Sequence, residues 1–287
     1  MSGPDVRAMC AAAVAWLDVA TAHLECDGPA RGTGAWYRTV GGLAPAGAVL
    51  ARIAPDFATA RTAAGLVGFA WRQFGEGAVL YERLLRDVSR TDPVETYGHF
   101  RRAGYRHADL DVLLPHARGL RQAAVPELAP NRVLAVRNAE RLARLPVRPD
   151  DDAVRRTWLG GLPEPWTLTH AQAYAAFHTV LHLCDWGLAR GALPLDIDTY
   201  LTRWLPAWTD VYTEAAQWDL VTALLLTDTC LRAPARPAGP WHALAEAQHP
   251  SGMLPGAGRP ARTAAFRDLS PTVTLALASA LAARTGR

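Results

Sequence analysis

Residues 169–187 read THAQAYAAFHTVLHLCDWG, and this stretch carries the clearest helix signals in the chain. Thr169 is a preferred N-cap residue, and Gln172, three positions later, completes a capping box. The apolar residues that follow recur at helical spacing. Gly187 suits the position just past a helix end. We therefore predict one uninterrupted helix over residues 169–186.

The same periodicity extends through most of the chain. Alternating β-branched patterns typical of strands are nearly absent. Helical spacing recurs over residues 13–24, 58–88, 94–103, 109–120, 133–145, 217–231, 239–248 and 270–284. About a dozen helices with short connections predict an all-α fold of stacked helical hairpins. The closed form of this arrangement is an α/α toroid, and the alternative is an open α-solenoid.

Glycine and proline residues indicate where helices bend or end. Gly75 and Gly77 are expected to interrupt the long segment of residues 58–88. Pro115 is expected to kink or end a helix that Asp109 caps. Pro206 suits the first turn of a helix and is expected to begin a new one.

One stretch could divide the chain. Residues 146–165 are rich in Pro, Asp and Arg. We interpret them as a linker within a single helical domain spanning residues 1–287. The sub-halves would then be residues 1–145 and 166–287.

The charged residues exclude several function classes. The 287-residue chain has a net charge of +3, and all 30 basic residues are arginine. Without lysine it can form neither a lysine Schiff base nor a phosphate-binding loop of the P-loop type. The arginines are spread along the sequence, so we expect no nucleic-acid partner. Dinucleotide and nucleophile-elbow motifs are also absent.

Cysteine spacing and hydropathy indicate the cellular compartment in which the protein works. The four cysteines form no CxxC pair and no zinc-finger spacing, which favours reduced thiols in the cytoplasm. No apolar run approaches the roughly 20 residues that a membrane span needs. We therefore predict a cytoplasmic protein without a membrane partner.

Four polar residues of the quoted stretch form the main candidate site. Helical spacing would place Tyr174, His178, His182 and Asp185 on one face. The two imidazoles and the carboxylate of Asp185 could bind Zn or Fe(II). Alternatively, a histidine acts as a general base that Asp185 orients, with Tyr174 as a hydrogen-bond donor. A third interpretation makes the histidines core residues that hydrogen bonds satisfy.

Further residues are candidates for substrate binding. The chain has ten tryptophans, and those of the C-terminal half either line a pocket or fill gaps between helices. Asp228 would add a carboxylate to the site if it faced inward near His178 or His182, and it would otherwise be solvated. The candidates for substrate binding are Trp186, Trp218, Asp228 and His249. By contrast, His99, His107, Asp109 and Asp111 are interpreted as a cluster around a helix boundary.

Two short motifs resemble known families. Residues 248–252 read QHPSG, which resembles the Q-x-x-x-G turn of α/α-toroid proteins such as squalene-hopene cyclases, protein prenyltransferases and toroid glycosidases. The resemblance implies a toroid in which Gln248 bonds neighbouring helix ends. The aspartate-rich motif of those cyclases is absent. Cys184-Asp-Trp-Gly also differs from the Cys-His-Gly of lanthipeptide cyclases. Residues 178–187 resemble helical proteins of actinobacterial secondary-metabolite clusters.

Two functional hypotheses follow. The first is an enzyme or accessory enzyme of specialised-metabolite biosynthesis that binds an apolar small molecule or modified peptide in a helical cavity. The second is a non-catalytic helical scaffold that presents a concave surface to a peptide or protein. A deep closed cavity at residues 178–185 favours the first. An exposed apolar groove, with the same residues buried and fully hydrogen-bonded, favours the second.

Overall fold

The computed structural model describes residues 3–25, 34–125, 127–148, 150, 152–258 and 268–285. These residues form twelve α-helices, and none of them lies in a strand, so the predicted all-α fold is confirmed. The helices are α1 (Val6–Thr21), α2 (Gly34–Ile53), α3 (Phe57–Gln73), α4 (Ala78–Arg86), α5 (Asp92–Arg102), α6 (Ala108–Gly119), α7 (Pro130–Leu142), α8 (His170–Leu183), α9 (Leu195–Glu214), α10 (Trp218–Cys230), α11 (Ala238–Ala247) and α12 (Ser270–Thr285).

Pairwise packing links six helices in a closed circuit. In order around it, α2 contacts α5, α5 contacts α7, α7 contacts α8, α8 contacts α10, α10 contacts α12, and α12 returns to α2. Helix α12 also packs on α1, which joins helices from near the two ends of the chain. The candidate site lies where α2, α5, α7, α8 and α12 face one another.

Helices α2 and α10 are buried on nearly every side. Every residue from Leu220 to Cys230 of α10 is buried, and so is every residue from Leu43 to Leu50 of α2. A fully buried helix shows no polar face. The sequence pattern therefore did not single out α2, which also contains Pro45 and several glycines. A Cβ on Gly47 would lie 2.7 Å from the Ala63 carbonyl oxygen of α3, so these two helices pack very closely.

Several local predictions can be compared with the helix ends. A short 3-10 turn, Gly75–Gly77, separates α3 from α4, as expected from its glycines. Pro206 lies inside α9, so the prediction that it begins a new helix is wrong. Pro115 lies inside α6 and so does not end that helix, which leaves a kink as the part of its prediction that still stands. Pro115 is exposed, so water can bond the carbonyl that lacks a helical partner. His107, not Asp109, caps α6 by accepting the Leu110 backbone N–H.

Two further observations bear on the predicted reduced thiols and on the predicted lack of a membrane span. Cys10, Cys184 and Cys230 are buried free thiols, and Cys26 lies outside the described residues. None of the described helices combines the length and apolar character that crossing a membrane requires.

Candidate functional site

Helix α8 begins as predicted but ends earlier. The Thr169 side chain accepts the Gln172 N–H, and the Gln172 side chain accepts the Thr169 N–H, which forms the capping box. The helix ends at Leu183, and Asp185 then has a left-handed backbone with φ of 49°. The Trp186 N–H bonds back to the Leu181 carbonyl over 2.8 Å, the bond expected of a Schellman motif. The prediction of an uninterrupted helix to residue 186 is therefore wrong.

The early helix end removes Asp185 from the histidine face. Its carboxylate pairs with the Arg102 guanidinium and, over 3.0 Å, with that of Arg141. Burial raises the pKa of Asp185, but the hydrogen bond and charge of Arg102, with Arg141, outweigh it and hold the pKa below its ordinary value. The carboxylate thus anchors the α5, α7 and α8 ends to one another.

The candidate metal set does not assemble. Within the described residues, no three His, Cys, Asp or Glu side chains are placed to hold a metal ion. The His178 and His182 rings stack nearly parallel, at 15°, with centroids 6.0 Å apart. Because Asp185 is engaged by two arginines, these residues do not fit the predicted Zn or Fe(II) site.

A third histidine joins the other two. His99 of α5 lies edge-on to Trp186 with ring centroids 5.1 Å apart. The His182 ring contacts the same indole, at 6.4 Å between centroids. The sequence interpretation grouped His99 with His107, because only the tertiary packing of α5 near α8 brings it to this site.

These imidazoles line a cleft of two adjoining chambers. Their volumes are about 360 Å³ and about 460 Å³. More of the residues that line the first are polar and more of those that line the second are apolar, although apolar atoms form most of the surface of both. Polar and ring-bearing residues of the first chamber are Arg38, Glu95, Thr96, His99, Asn131, Arg132, Asn138, His178, His182 and Trp186. Arg38, Gly42, His178 and Trp186 line both chambers. Each volume is within the range of roughly 300–1,000 Å³ that small-molecule pockets occupy.

Unpartnered polar atoms are concentrated beside this cleft. His99 Nδ1, His182 Nδ1, Arg102 Nη1 and Trp186 Nε1 are buried and have no hydrogen-bond partner among the described residues. Buried polar groups in native proteins are nearly always hydrogen-bonded, and a catalytic or ligand-binding role is one explanation of an exception. The third sequence interpretation expected hydrogen bonds to satisfy His178 and His182 as core residues, and neither ring has such a bond among the described residues.

Burial keeps the imidazoles neutral. Burial, and then the charge of Arg102, lowers the pKa of His99 to about 3. Burial, with His178 and Arg132, lowers the pKa of His182 to about 3 as well. Burial and Arg132 also lower the pKa of His178, the least deeply buried of the three rings. A neutral imidazole can accept a proton and donate a hydrogen bond at once.

Tyr174 lies outside the cleft lining. Its hydroxyl donates to Asp219 Oδ2 over 2.6 Å, and that bond ties α8 to the first turn of α10. His170 Nε2 lies 3.9 Å from the same carboxylate oxygen. The structure therefore does not bring Tyr174 into the cleft as a donor, although it stacks on His178 with centroids 6.4 Å apart.

Only Trp186 of the four candidate substrate-binding residues lines the cleft. Asp228 faces inward, but it accepts the Ala235 and Arg236 backbone N–H groups and so holds the turn after α10. Trp218 donates to the Gly258 carbonyl. His249 is bonded to Ser251 in the turn after α11. These three residues have local structural partners away from the histidines.

The turn of residues 248–252 also has a structural role. Gln248 Nε2 donates to the Met9 carbonyl of α1 over 3.2 Å and to the Gly252 carbonyl over 2.9 Å. Gly252 has φ of 98°, and a Cβ there would lie 2.0 Å from the Ala12 carbonyl oxygen. This turn therefore docks on α1 through the backbone.

Comparison with known proteins gives a family but no activity. No curated protein and no solved structure matches the chain. A family model described as a domain of unknown function, DUF6895, matches residues 10–279. The match includes every helix that lines the cleft apart from the last residues of α12. The chain therefore belongs to the DUF6895 family.

Proposed function

We propose that the protein is an enzyme or accessory enzyme that performs acid–base chemistry on a small molecule bound between α2, α5, α7, α8 and α12. The observation that carries the proposal is the group of neutral imidazoles at a cleft where buried polar atoms have no partner among the described residues. Specialised metabolism in the cytoplasm is the proposed setting, supported by the resemblance of residues 178–187 alone.

His178 is the proposed general base. It lines both chambers, and its lowered pKa leaves the ring unprotonated at neutral pH. The more deeply buried His99 and His182 would instead hydrogen-bond the substrate as neutral rings, since a pKa of about 3 makes a weak base. Their part is to orient the substrate.

A positive charge near the base would stabilise an anion formed by proton removal. Arg132 lines the first chamber and pairs with Glu95 over 2.7 Å. Its charge also contributes to the lowered pKa of His178 and His182. The proposed reaction class is therefore proton abstraction from a substrate whose anion an arginine stabilises.

The scaffold hypothesis has less support. That hypothesis expected an exposed apolar groove, with the histidine cluster buried and fully hydrogen-bonded. Instead, none of the three imidazole rings is hydrogen-bonded to another protein group among the described residues. A cleft with free polar atoms fits a small ligand better than a peptide-binding surface.

Substrate conversion tests the proposal. Wild-type protein is incubated with the small-molecule extract of the cells that naturally produce it, and mass spectrometry follows the compounds that bind and those that change mass or retention. We expect His178→Asn to keep the bound compound but to convert it at least about 100-fold more slowly, because general-base catalysis contributes that much or more.

The matched control is His116→Asn, which removes an exposed histidine of α6 that does not line the cleft. It should convert the compound at the wild-type rate. Equal rates for the His178→Asn and His116→Asn variants would contradict the role of His178.

A further inference from the structure

The two chambers of the cleft differ in chemistry, which restricts what can fill them together. The first chamber carries the imidazoles and two arginines. Apolar side chains of the second come from α8 and from the start of α12, namely Phe177, Leu181, Leu269, Val273 and Leu277. A ligand that spans both chambers can place a polar end among the imidazoles and an apolar end against these apolar side chains.

Arg38 of α2 lies at the junction of the two chambers. It lines both of them, and it makes no ion pair among the described residues. Arg132, in contrast, is paired with Glu95, and Arg102 with Asp185. Of the arginines described at the cleft, Arg38 is therefore the one whose charge is not offset by an ion pair, which favours it over Arg132 as the binding group for an anionic head group.

Two of the described acidic residues also line the cleft, and only one of them is ion-paired. Asp268 lines the second chamber, and its Oδ1 accepts the Ser270 backbone N–H over 2.9 Å at the start of α12. Burial raises the pKa of Glu95 against the opposing charge of Arg132, with which it is paired. Among the described residues that line the cleft, Arg38 and Asp268 are therefore the charged side chains without an ion pair, and the N-terminus of α12 partly offsets the charge of Asp268.

We propose, resting on the proposed function, that the ligand is a small amphipathic carboxylate. Its carboxylate binds the Arg38 guanidinium, whose fork of N–H donors matches two carboxylate oxygens. The polar part next to it contacts His178 and Trp186, which line both chambers. The apolar body enters the second chamber, where it covers Phe177, Leu181 and Leu277.

Calorimetric titration with octanoate, 1-octanol and octylammonium tests the ligand class. The three probes share one apolar chain and differ in the charge of the head group. We expect octanoate to bind at least about tenfold more tightly than either of the others, since a hydrogen bond between two charged groups is stronger than one with a neutral partner. Equal affinity for octanoate and octylammonium would overturn the proposal.

Two variants locate the binding. Arg38→Gln should weaken octanoate binding about tenfold and leave octanol binding unchanged. The control, Arg61→Gln, changes an exposed arginine of α3 that lines neither chamber, and it should leave both affinities unchanged. Gly42→Leu should abolish octanoate binding, because Gly42 lines both chambers and a Cβ there meets no atom within 4 Å. Unchanged octanoate affinity in Arg38→Gln or in Gly42→Leu would contradict the proposed placement.

The outcomes separate this proposal from the proposed function. Octanoate binding that depends on Arg38, with normal turnover by His178→Asn, would support the ligand class and contradict the acid–base role. Octanoate affinity that is unchanged in Arg38→Gln, with turnover lost in His178→Asn, would support the acid–base role and contradict the ligand class.

Discussion

At the scale of single residues, the decisive feature is the backbone of Asp185. Asp and Asn adopt the left-handed conformation more readily than most residues, so an aspartate can occupy the C′ position where glycine is usual. Gly187, which resembles such a cap in the sequence, lies two residues too late. The turn at Asp185 directs its carboxylate to Arg102 and leaves the imidazoles of α8 facing the cleft.

Substitution of Asp185 by Asn tests this anchor. Asn tolerates the same backbone, so the change removes the charge and keeps the turn. The Arg102 side chain is only 5% exposed, and an unpaired buried charge is costly. We expect the free energy of unfolding in urea to fall by about 2–3 kcal/mol, somewhat less than for a fully buried pair.

The difference in unfolding free energy between wild type and Asp185→Asn should shrink as the pH falls. The pKa of Asp185 is lowered in the folded protein, so its stabilising effect is present above the unfolded value of about 3.9. The effect disappears as the pH falls through the lower folded value. A difference between wild type and Asp185→Asn that stayed constant from pH 6 to pH 3 would contradict the assignment. Asp196→Asn, at an exposed ion pair with Arg155, is the control and should change nothing measurable.

At the scale of elements, close packing of α2 on α3 brings the wall of the cleft into place. Helix α2 supplies Arg38 and Gly42 from one side. On its other side Gly47 meets the backbone of α3 and the Val67 side chain, each 2.7 Å from the position of a Cβ. Glycine here permits the approach, since its lack of a side chain lets the backbones meet.

A pair of glycine substitutions tests this contact. Gly47→Ala should lower the free energy of unfolding by about 1–2 kcal/mol, because overpacking against backbone exceeds the gain in helix propensity. Gly65→Ala in α3 meets no atom within 4 Å and should raise stability by about 0.5–1 kcal/mol. Chemical denaturation measures both values. Equal effects of the two substitutions would show that α2 and α3 do not approach this closely.

At the scale of the whole molecule, the closed circuit of helices places residues distant in sequence around one cleft. Local signals predicted most helices, because caps, glycines and amphipathic spacing act within a few residues. They did not single out α2, whose buried sides show no polar face. His178 and His182 were predictable as a pair on one helix. His99 and Arg38 were not predictable as partners, since only the packing of α2 and α5 beside α8 brings them there.

The central claim is that the imidazoles at this cleft are neutral groups, available to a ligand. Long-range ¹H–¹⁵N NMR of the histidine rings tests it most directly, with signals assigned by their loss in His99→Asn and His182→Asn. With a pKa of about 3 for each ring, the account predicts that His99 and His182 stay neutral from pH 8 to pH 5. Protonation of either ring between pH 7 and pH 6, as in an exposed histidine, would contradict it.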